Sequence, residues 1–255
     1  MLGKKLKNKK YLGQHFLVDP NIVKRIIHLS KIDTNSIIYE VGTGNGILTK
    51  ELCNISKLVY SYEIDPICYH YCKKNLLLSN LILINSDGFN DDSKNFDVFF
   101  SSLPYYESRN AFNWLFQKNF KKGILLLQKE FVDKLLSIPG KKNYRAISVL
   151  CQHRFSIDIL LDVPFSSFSP IPRVSSVLIE ISPKLSPLSK KTIDDIQFLF
   201  SFRKKNISFL LKYFNKQLQK NDEYFDIDKY KDKKLGQLSV EQIFQLYSFL
   251  KNYLF

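Results

Sequence analysis

Two short stretches of this chain carry residue types that chemistry needs. The first is Gly42-Thr43-Gly44-Asn45-Gly46, set between an apolar run, Ile37-Ile38-Tyr39-Glu40-Val41, and a helix-patterned run from Ile47 to Ile55. Glycine lets a backbone approach a ligand closely, and strand, glycine loop, helix is the nucleotide-approach geometry of doubly wound sheets. The spacing is not that of a dinucleotide fingerprint, which would need glycine at 47, where this chain has isoleucine. Glu63 ends the next apolar run, where a carboxylate accepts both hydroxyls of a ribose. Asp87 follows the third run, in Asn85-Ser86-Asp87-Gly88-Phe89, where it could accept a hydrogen from an adenine amino group. Alone, each acid reads as a solvated strand end. At successive strand C-termini, where ligands of such sheets bind, they read as a site. The second stretch, Ser102-Leu103-Pro104-Tyr105, directly follows an apolar run at 97–100 and brings a hydroxyl, a proline-bounded turn and an aromatic ring beside the same crevice.

The elements that must position these residues alternate. Strands are predicted at 37–41, 58–62, 81–84, 97–100, 123–127 and 175–181, with helices at 47–55, 66–78 and 129–136 between them. Such alternation implies βαβ units and a mostly parallel sheet covered on both faces. Ser182-Pro183-Lys184-Leu185-Ser186-Pro187 reads as a linker. Beyond it, 190–214 and 240–254 have helical periodicity and no strand pattern. The expected fold is therefore α/β, a doubly wound Rossmann-like sheet over residues 1–184, with a small helical domain over 185–255.

Lysine and arginine outnumber aspartate and glutamate by 38 to 24, a net charge of +14, which favours polyanionic partners, nucleic acid before an acidic membrane surface. A lysine-rich genome would raise the same count. No apolar run reaches the ~18–20 residues that span a bilayer, and no signal-type apolar core follows the basic stretch from Met1 to Lys10. A cytoplasmic protein is expected. Cys68, His70 and Cys72 suggest a metal set, but on a helix the two cysteines share a face that His70 does not. With no fourth ligand, a buried helix face is the better reading and no metal is expected.

Glu40-Val41-Gly42-Thr43-Gly44-Asn45-Gly46 resembles the E-x-G-x-G-x-G loop of S-adenosylmethionine enzymes. Ser102-Leu103-Pro104-Tyr105 is similar to the Asn-Leu-Pro-Tyr turn of adenine-specific amino-methyltransferases, and Tyr11-Leu12-Gly13-Gln14-His15-Phe16-Leu17 to the leading segment of the KsgA-type ribosomal RNA adenine dimethyltransferases and the related Erm enzymes. Phe168-Ser169-Pro170-Ile171-Pro172-Arg173-Val174-Ser175-Ser176 resembles the family's F-x-P-x-P-x-V-x-S segment. Phe202-Arg203-Lys204-Lys205 and Leu235-Gly236-Gln237-Leu238-Ser239-Val240-Glu241-Gln242 resemble its two helical-domain motifs, with Ser239 and Gln242 spaced as a capping box. The short helical domain and Ser108-Arg109-Asn110-Ala111 look more like the archaeal small-subunit branch than the bacterial one.

The resemblance implies S-adenosylmethionine as cofactor, held by Gln14, His15, Leu17, Gly42, Gly44, Glu63, Asp87 and Ser102. It implies methyl transfer to adenine N6 in small-subunit ribosomal RNA, in two steps per base, by a monomer acting in ribosome biogenesis. An exocyclic adenine amine is a poor nucleophile, because its lone pair is delocalised into the ring. In the family, acceptors for both amino hydrogens come from the asparagine side chain and the proline carbonyl, positions held here by Ser102 and Pro104. The positions of Tyr105 and Phe168 supply aromatic surface for a base taken out of its stack. Lys4 to Lys10, Lys121-Lys122, Lys141-Lys142 and Arg203-Lys204-Lys205 would contact phosphates without reading sequence. Position 102 departs from the pattern. A serine hydroxyl accepts a hydrogen bond but is shorter than an amide. Two alternatives therefore stay open: an RNA-binding assembly factor with little or no catalysis, and an Erm-like enzyme of the large subunit.

Overall fold

The computed structural model describes residues 15–214 and 225–251. Gln14 and the Lys4 to Lys10 cluster lie outside the described residues. The chain runs β1 (Phe16–Leu17), α1 (Pro20–Ser30), β2 (Ile37–Val41), α2 (Ile47–Ile55), β3 (Leu58–Tyr62), α3 (Pro66–Asn75), β4 (Leu81–Ile84), β5 (Val98–Ser101), α4 (Ser108–Leu115), β6 (Lys122–Gln128), α5 (Lys129–Leu135), α6 (Ala146–Arg154), β7 (Phe155–Val163), β8 (Phe168–Ser169) and β9 (Ser176–Pro183). It continues through α7 (Lys190–Leu199), α8 (Ile207–Tyr213), α9 (Ile227–Tyr230) and α10 (Val240–Leu250).

Seven strands form one sheet in the order β4-β3-β2-β5-β6-β9-β7. The first five are mutually parallel and β9 runs antiparallel to β6. The chain winds outward from β2 to β3 and β4, then returns to place β5 on the other side of β2. Strand order thus reverses between β2 and β5, which is where ligands bind in open α/β sheets. β5 is buried along its whole length, as a strand covered on both faces must be. β1 and β8 make a separate antiparallel pair, with Leu17 opposite Phe168.

Local chemistry sets the helix starts. Asp19 accepts hydrogen bonds from the N–H groups of Asn21 and Ile22, with Pro20 in the first turn. Asp65 caps α3 in the same way ahead of Pro66. Both satisfy donors a helix start leaves open, and proline there gives up no bond. Ser239 and Gln242 form the expected capping box of α10.

Helices α1, α4, α6 and α9 and the short strands β1 and β8 had no expected counterpart, and further elements differ from the periodicity. α3 ends at Asn75 rather than near 78, because Leu77, 88% exposed, meets no core that would reward another turn. β7 had no counterpart among the predicted strands. It lies at the sheet edge, and Ser156, Asp158 and Asp162 break up its apolar pattern. The helical stretch at 190–214 is interrupted by a 3-10 turn at Phe200–Phe202 before α8 begins at Ile207, after Asn206.

The described residues form two compact units. One holds the residues up to Trp114, Asn119–Phe131 and Ser156–Pro183; the other holds Leu115–Lys118, Val132–Phe155 and the residues from Lys184 onward. The last crossing between the units falls at 183/184, and Leu115–Lys118 and Val132–Phe155 of the second unit lie inside the stretch 1–184 that the sequence reads as one domain. The reason is α6. Most of it is buried, and within the second unit the Tyr144 hydroxyl donates to the Leu238 carbonyl, the Lys184 N–H donates to the Arg154 carbonyl, and His153 stacks on Phe244. No described helix is long and apolar enough to cross a membrane.

Gly46 joins the glycine loop to α2 at φ +78°. A Cβ there would lie 2.7 Å from Leu76 Cδ1 and 3.1 Å from Cys72 Sγ. Gly46→Ala is expected to lower unfolding stability by about 1–3 kcal/mol, from the left-handed backbone and the crowding together. Urea unfolding followed by circular dichroism measures this, and an unchanged midpoint would refute it.

Candidate active site

Four adjacent parallel strands present their C-terminal ends in the order β4, β3, β2, β5. Those ends carry, in turn, Asp87, Glu63, the glycine loop and the Ser102 to Tyr105 turn. The loop is tied down from several sides. The N–H groups of Gly42 and Thr43 both donate to the Tyr62 carbonyl. The Gly44 N–H donates to Glu63 Oε2 at 2.7 Å, and the Asp65 N–H donates to Glu63 Oε1 at 2.8 Å. Asn45 Nδ2 donates to the Leu17 carbonyl, tying the loop to β1. Cβ atoms on Gly42 and Gly44 would stand 3.2 Å from Leu103 and from Phe16 respectively. The loop is thus a bare-backbone cradle between the leading segment and the turn.

Glu63 is buried, and burial raises its pKa. The Asp65 and Gly44 N–H groups pull it back down, while the Asp65 charge adds to the rise. Among the described residues Gly44 and Asp65 each donate to a different oxygen of the carboxylate, the Ile64 N–H adds to the downward pull, and a carboxylate oxygen can accept more than one hydrogen bond. Asp87 is half-buried and accepts from the Phe89 N–H at 2.9 Å and from Asn90 Nδ2 at 3.2 Å, which makes it the cap of a 3-10 turn.

Glu40, on the central strand β2, is an acid whose part in the site its motif position did not reveal. It is 2% exposed and accepts from Thr49 Oγ1 at 2.7 Å and from Ser61 Oγ. Ser61 Oγ lies 2.6 Å from Thr43 Oγ1 in the glycine loop. Burial pushes the Glu40 carboxyl up to about 7, against the pull of the Ser61 and Thr49 hydroxyls. The available signal was an acid in an apolar strand expected to be covered on both faces.

The turn after β5 forms one wall of a pocket lined by His15, Ser102, Leu103, Pro104, Tyr105, Leu126, Phe168 and Ser176. Of the expected site residues it therefore brings together His15, Ser102, Pro104, Tyr105 and Phe168. Gly42, Gly44, Glu63 and Asp87 lie outside that pocket, just past the ends of β2, β3 and β4, and Leu17 lies on β1. Leu17 is buried in the core and meets the loop through its carbonyl. Phe168 is buried in the same core. His15 Nδ1 is 2.7 Å from the Pro170 carbonyl, and its ring stacks on Tyr105 with centroids 5.7 Å apart. The Pro104 carbonyl accepts the Glu107 N–H at 2.9 Å. The Ser102 hydroxyl has no hydrogen-bond partner among the described residues. Leu126 and Ser176 were not among the expected site residues. Leu126 comes from β6, whose sequence reads only as a strand, and Ser176 closes the Phe168–Ser176 segment, of which only Phe168 was expected in the site. Cys68 and Cys72 are buried on α3 while His70 is exposed, and no described group of three or more metal-ligating side chains is placed to hold an ion.

Strand order, glycine cradle and turn define a Rossmann-like methyltransferase. A solved dimethyladenosine transferase from Plasmodium falciparum superposes with a TM-score of 0.79 at 25% identity, covering 94% of this chain and 98% of that one. The family model described as Ribosomal RNA adenine dimethylase matches residues 5–252, and the chain belongs to that family. Among curated relatives, a ribosomal RNA small subunit methyltransferase A of Mycoplasmopsis pulmonis is 30% identical over 236 residues, 89% of this chain and 92% of the relative. A probable ribosomal RNA small subunit methyltransferase A of Thermococcus sibiricus is also 30% identical, over 257 residues, 97% of this chain and 93% of the relative. A bacterial and an archaeal relative thus match at equal identity.

The Glu40 shift makes stability depend on pH. Its folded pKa, about 7, lies above its ordinary 4.5. The stability it contributes is full below about 4.5 and is lost as pH rises through about 7, as the buried carboxylate ionises. Glu40→Gln is expected to remove that component, about 3 kcal/mol between pH 4.5 and 8. Urea unfolding at several pH values checks this, and parallel pH curves for the two proteins would rule it out.

Proposed function

We propose that this chain transfers methyl groups from S-adenosylmethionine to the N6 amino group of adenines in small-subunit ribosomal RNA, two per target base, as a monomer acting in ribosome biogenesis. The observation that carries this reading is the meeting of Ser102, Pro104, Tyr105 and Phe168 in one pocket beside the glycine cradle. The cradle fits the amino-acid end of the cofactor because Gly42 and Gly44 leave their backbone bare. The Glu63 carboxylate suits two ribose hydroxyls, and Asp87 suits the cofactor's adenine amine. By the family resemblance His15 and Leu17 would contact the cofactor from the leading segment, as would Gln14, which lies outside the described residues. When bound, S-adenosylmethionine supplies an electrophilic methyl on a sulfonium centre.

The chain's own work is to hold the target amine. The Pro104 carbonyl uses one lone pair on Glu107 and has another for an amino hydrogen. The Ser102 hydroxyl accepts the second. Holding both hydrogens favours a pyramidal nitrogen with an available lone pair, and Tyr105 and Phe168 give the base an aromatic seat. The gain comes from positioning. Residues 1–184 serve cofactor and base, and 185–255 serve RNA binding.

Incubation with labelled S-adenosylmethionine and unmethylated small subunits should place label in dimethyladenosine. Tyr105→Ala should lower kcat by about a hundredfold, the cost of misplacing a base by about 1 Å. Cofactor binding without transfer would leave the assembly-factor reading instead, and transfer to large subunits the Erm-like one. Ser102→Asn should raise kcat where the short serine limits the rate.

The Lys204→Glu/Lys205→Glu double variant should bind RNA more weakly across sequences. The slope of its log affinity against log salt should flatten by about one for each phosphate it no longer neutralises. Cofactor affinity should not change. An unaltered salt slope, read by titration at several ionic strengths, would remove these lysines from the RNA surface.

A further inference from the structure

We infer that Ser176 is a positioning residue for the methyl transfer, acting through its hydroxyl to set the orientation of the Tyr105 ring. The inference rests on the reading above, in which Tyr105 seats the target base.

Ser176 opens β9 opposite Gln128 and is fully buried. Val177, Leu178 and Ile179 follow it, all buried and apolar. A hydroxyl in such a place costs free energy unless it is hydrogen-bonded. Its partner is Tyr105 Oη at 3.0 Å, where either group can donate. Tyr105 itself is half-buried and held at three points. Its phenol meets Ser176, its ring lies against His15 at an interplanar angle of 25°, and its carbonyl accepts from Ser108 Oγ at 2.9 Å. His15 is fixed in turn by the Pro170 carbonyl. Burial raises the Tyr105 pKa, so the phenol stays neutral and the hydroxyl pair persists at ordinary pH.

These restraints do different jobs. Ser108 anchors the root of the residue and His15 covers ring surface. Among the described residues only Ser176 grips the far end, and so limits how the ring swings about its Cβ. A stacked base inherits the angle of its platform, and a reacting amine tolerates about 10–20° of misalignment before rate is lost. Ser176 reaches the reaction through Tyr105, in keeping with its place 71 residues along the chain from that ring.

The test compares kcat and both KM values, for RNA and for S-adenosylmethionine, in wild type, Ser176→Ala, Ser176→Thr, Tyr105→Phe, the Ser176→Ala/Tyr105→Phe double variant and Tyr105→Ala. Ser176→Ala should lower kcat about three- to tenfold, the worth of one neutral hydrogen bond, with the cofactor KM unchanged. Ser176→Thr should keep kcat within about twofold, since it keeps the hydroxyl. Tyr105→Phe should match Ser176→Ala, and the double variant should lose no more than either, because both remove the same bond. Wild-type kcat in Ser176→Ala, or losses that multiply in the double variant, would overturn the proposal. If Ser176→Ala does not fold, Tyr105→Phe breaks the bond from its half-buried end, and unchanged kcat there overturns it equally. Tyr105→Ala separates the two ideas: if it too leaves kcat unchanged, the stacking role of Tyr105 fails as well, whereas its collapse beside an active Tyr105→Phe sinks only the Ser176 inference.

Discussion

The site hangs on a carboxylate that belongs to two strand ends at once. Glu63 leaves β3 and spends one oxygen on the Gly44 N–H of the β2 loop and the other on the Asp65 N–H of its own turn. Hydrogen bonds to a charged group are worth about 1.5–3 kcal/mol each, so the pair offsets part of the cost of burying the acid, although burial still raises its pKa. Asp65 then caps α3, whose Cys72 thiol donates back to the Gly44 carbonyl. Gly44 is thereby held through both its N–H and its C=O. A loop bound this way keeps its shape without side chains, which a bare-backbone cradle requires.

The same economy governs the other half of the site. β1 and β8 are two residues each and could not stand alone, yet each does structural work through its neighbours. Leu17 lends its side chain to the core and its carbonyl to Asn45 in the glycine loop. Phe168 sits opposite it on β8, in the same core and in the pocket wall. Leu103 packs toward Gly42, so the turn after β5 and the loop after β2 are fitted to each other across the reversal in strand order. Changes in either loop are transmitted to the other through close packing rather than through any long path.

Much of this was legible in the residues, for physical reasons that also explain what was not. Interior parallel strands need largely apolar runs, so 37–41 and 58–62 appeared at their true bounds, as did 81–84, an edge strand whose four residues are all apolar. Ligands at strand C-termini made Glu63, Asp87 and the turn stand out from ordinary polar residues. β7 escaped because an edge strand need not be apolar, and the break at Phe200 escaped because a 3-10 turn keeps nearly helical spacing. The bonds of Glu40 to Thr49 and Ser61, and of Ser176 to Tyr105, join residues 9, 21 and 71 positions apart. Only folded coordinates bring such partners together. The Phe168–Ser176 segment marks Ser176 in the sequence but not its bond, because its partner Tyr105 lies in the turn after β5.

The charge of the molecule and the charge of the site oppose each other. The chain carries +14 in total, yet Glu40, Glu63, Asp65 and Asp87 cluster at the ends of β2, β3 and β4. Across the strand reversal, Ser102 to Tyr105 carry no charge. On the proposed reading this division sorts the reactants. A sulfonium cofactor is cationic and gains from the acidic strand ends. RNA phosphates are drawn by the basic exterior but repelled by those acids, so what enters the neutral pocket is a base without its backbone. The pocket then needs no charged group to recognise an adenine amine. Neutral acceptors at Ser102 and Pro104 suffice, and they leave the amine lone pair free for the transfer.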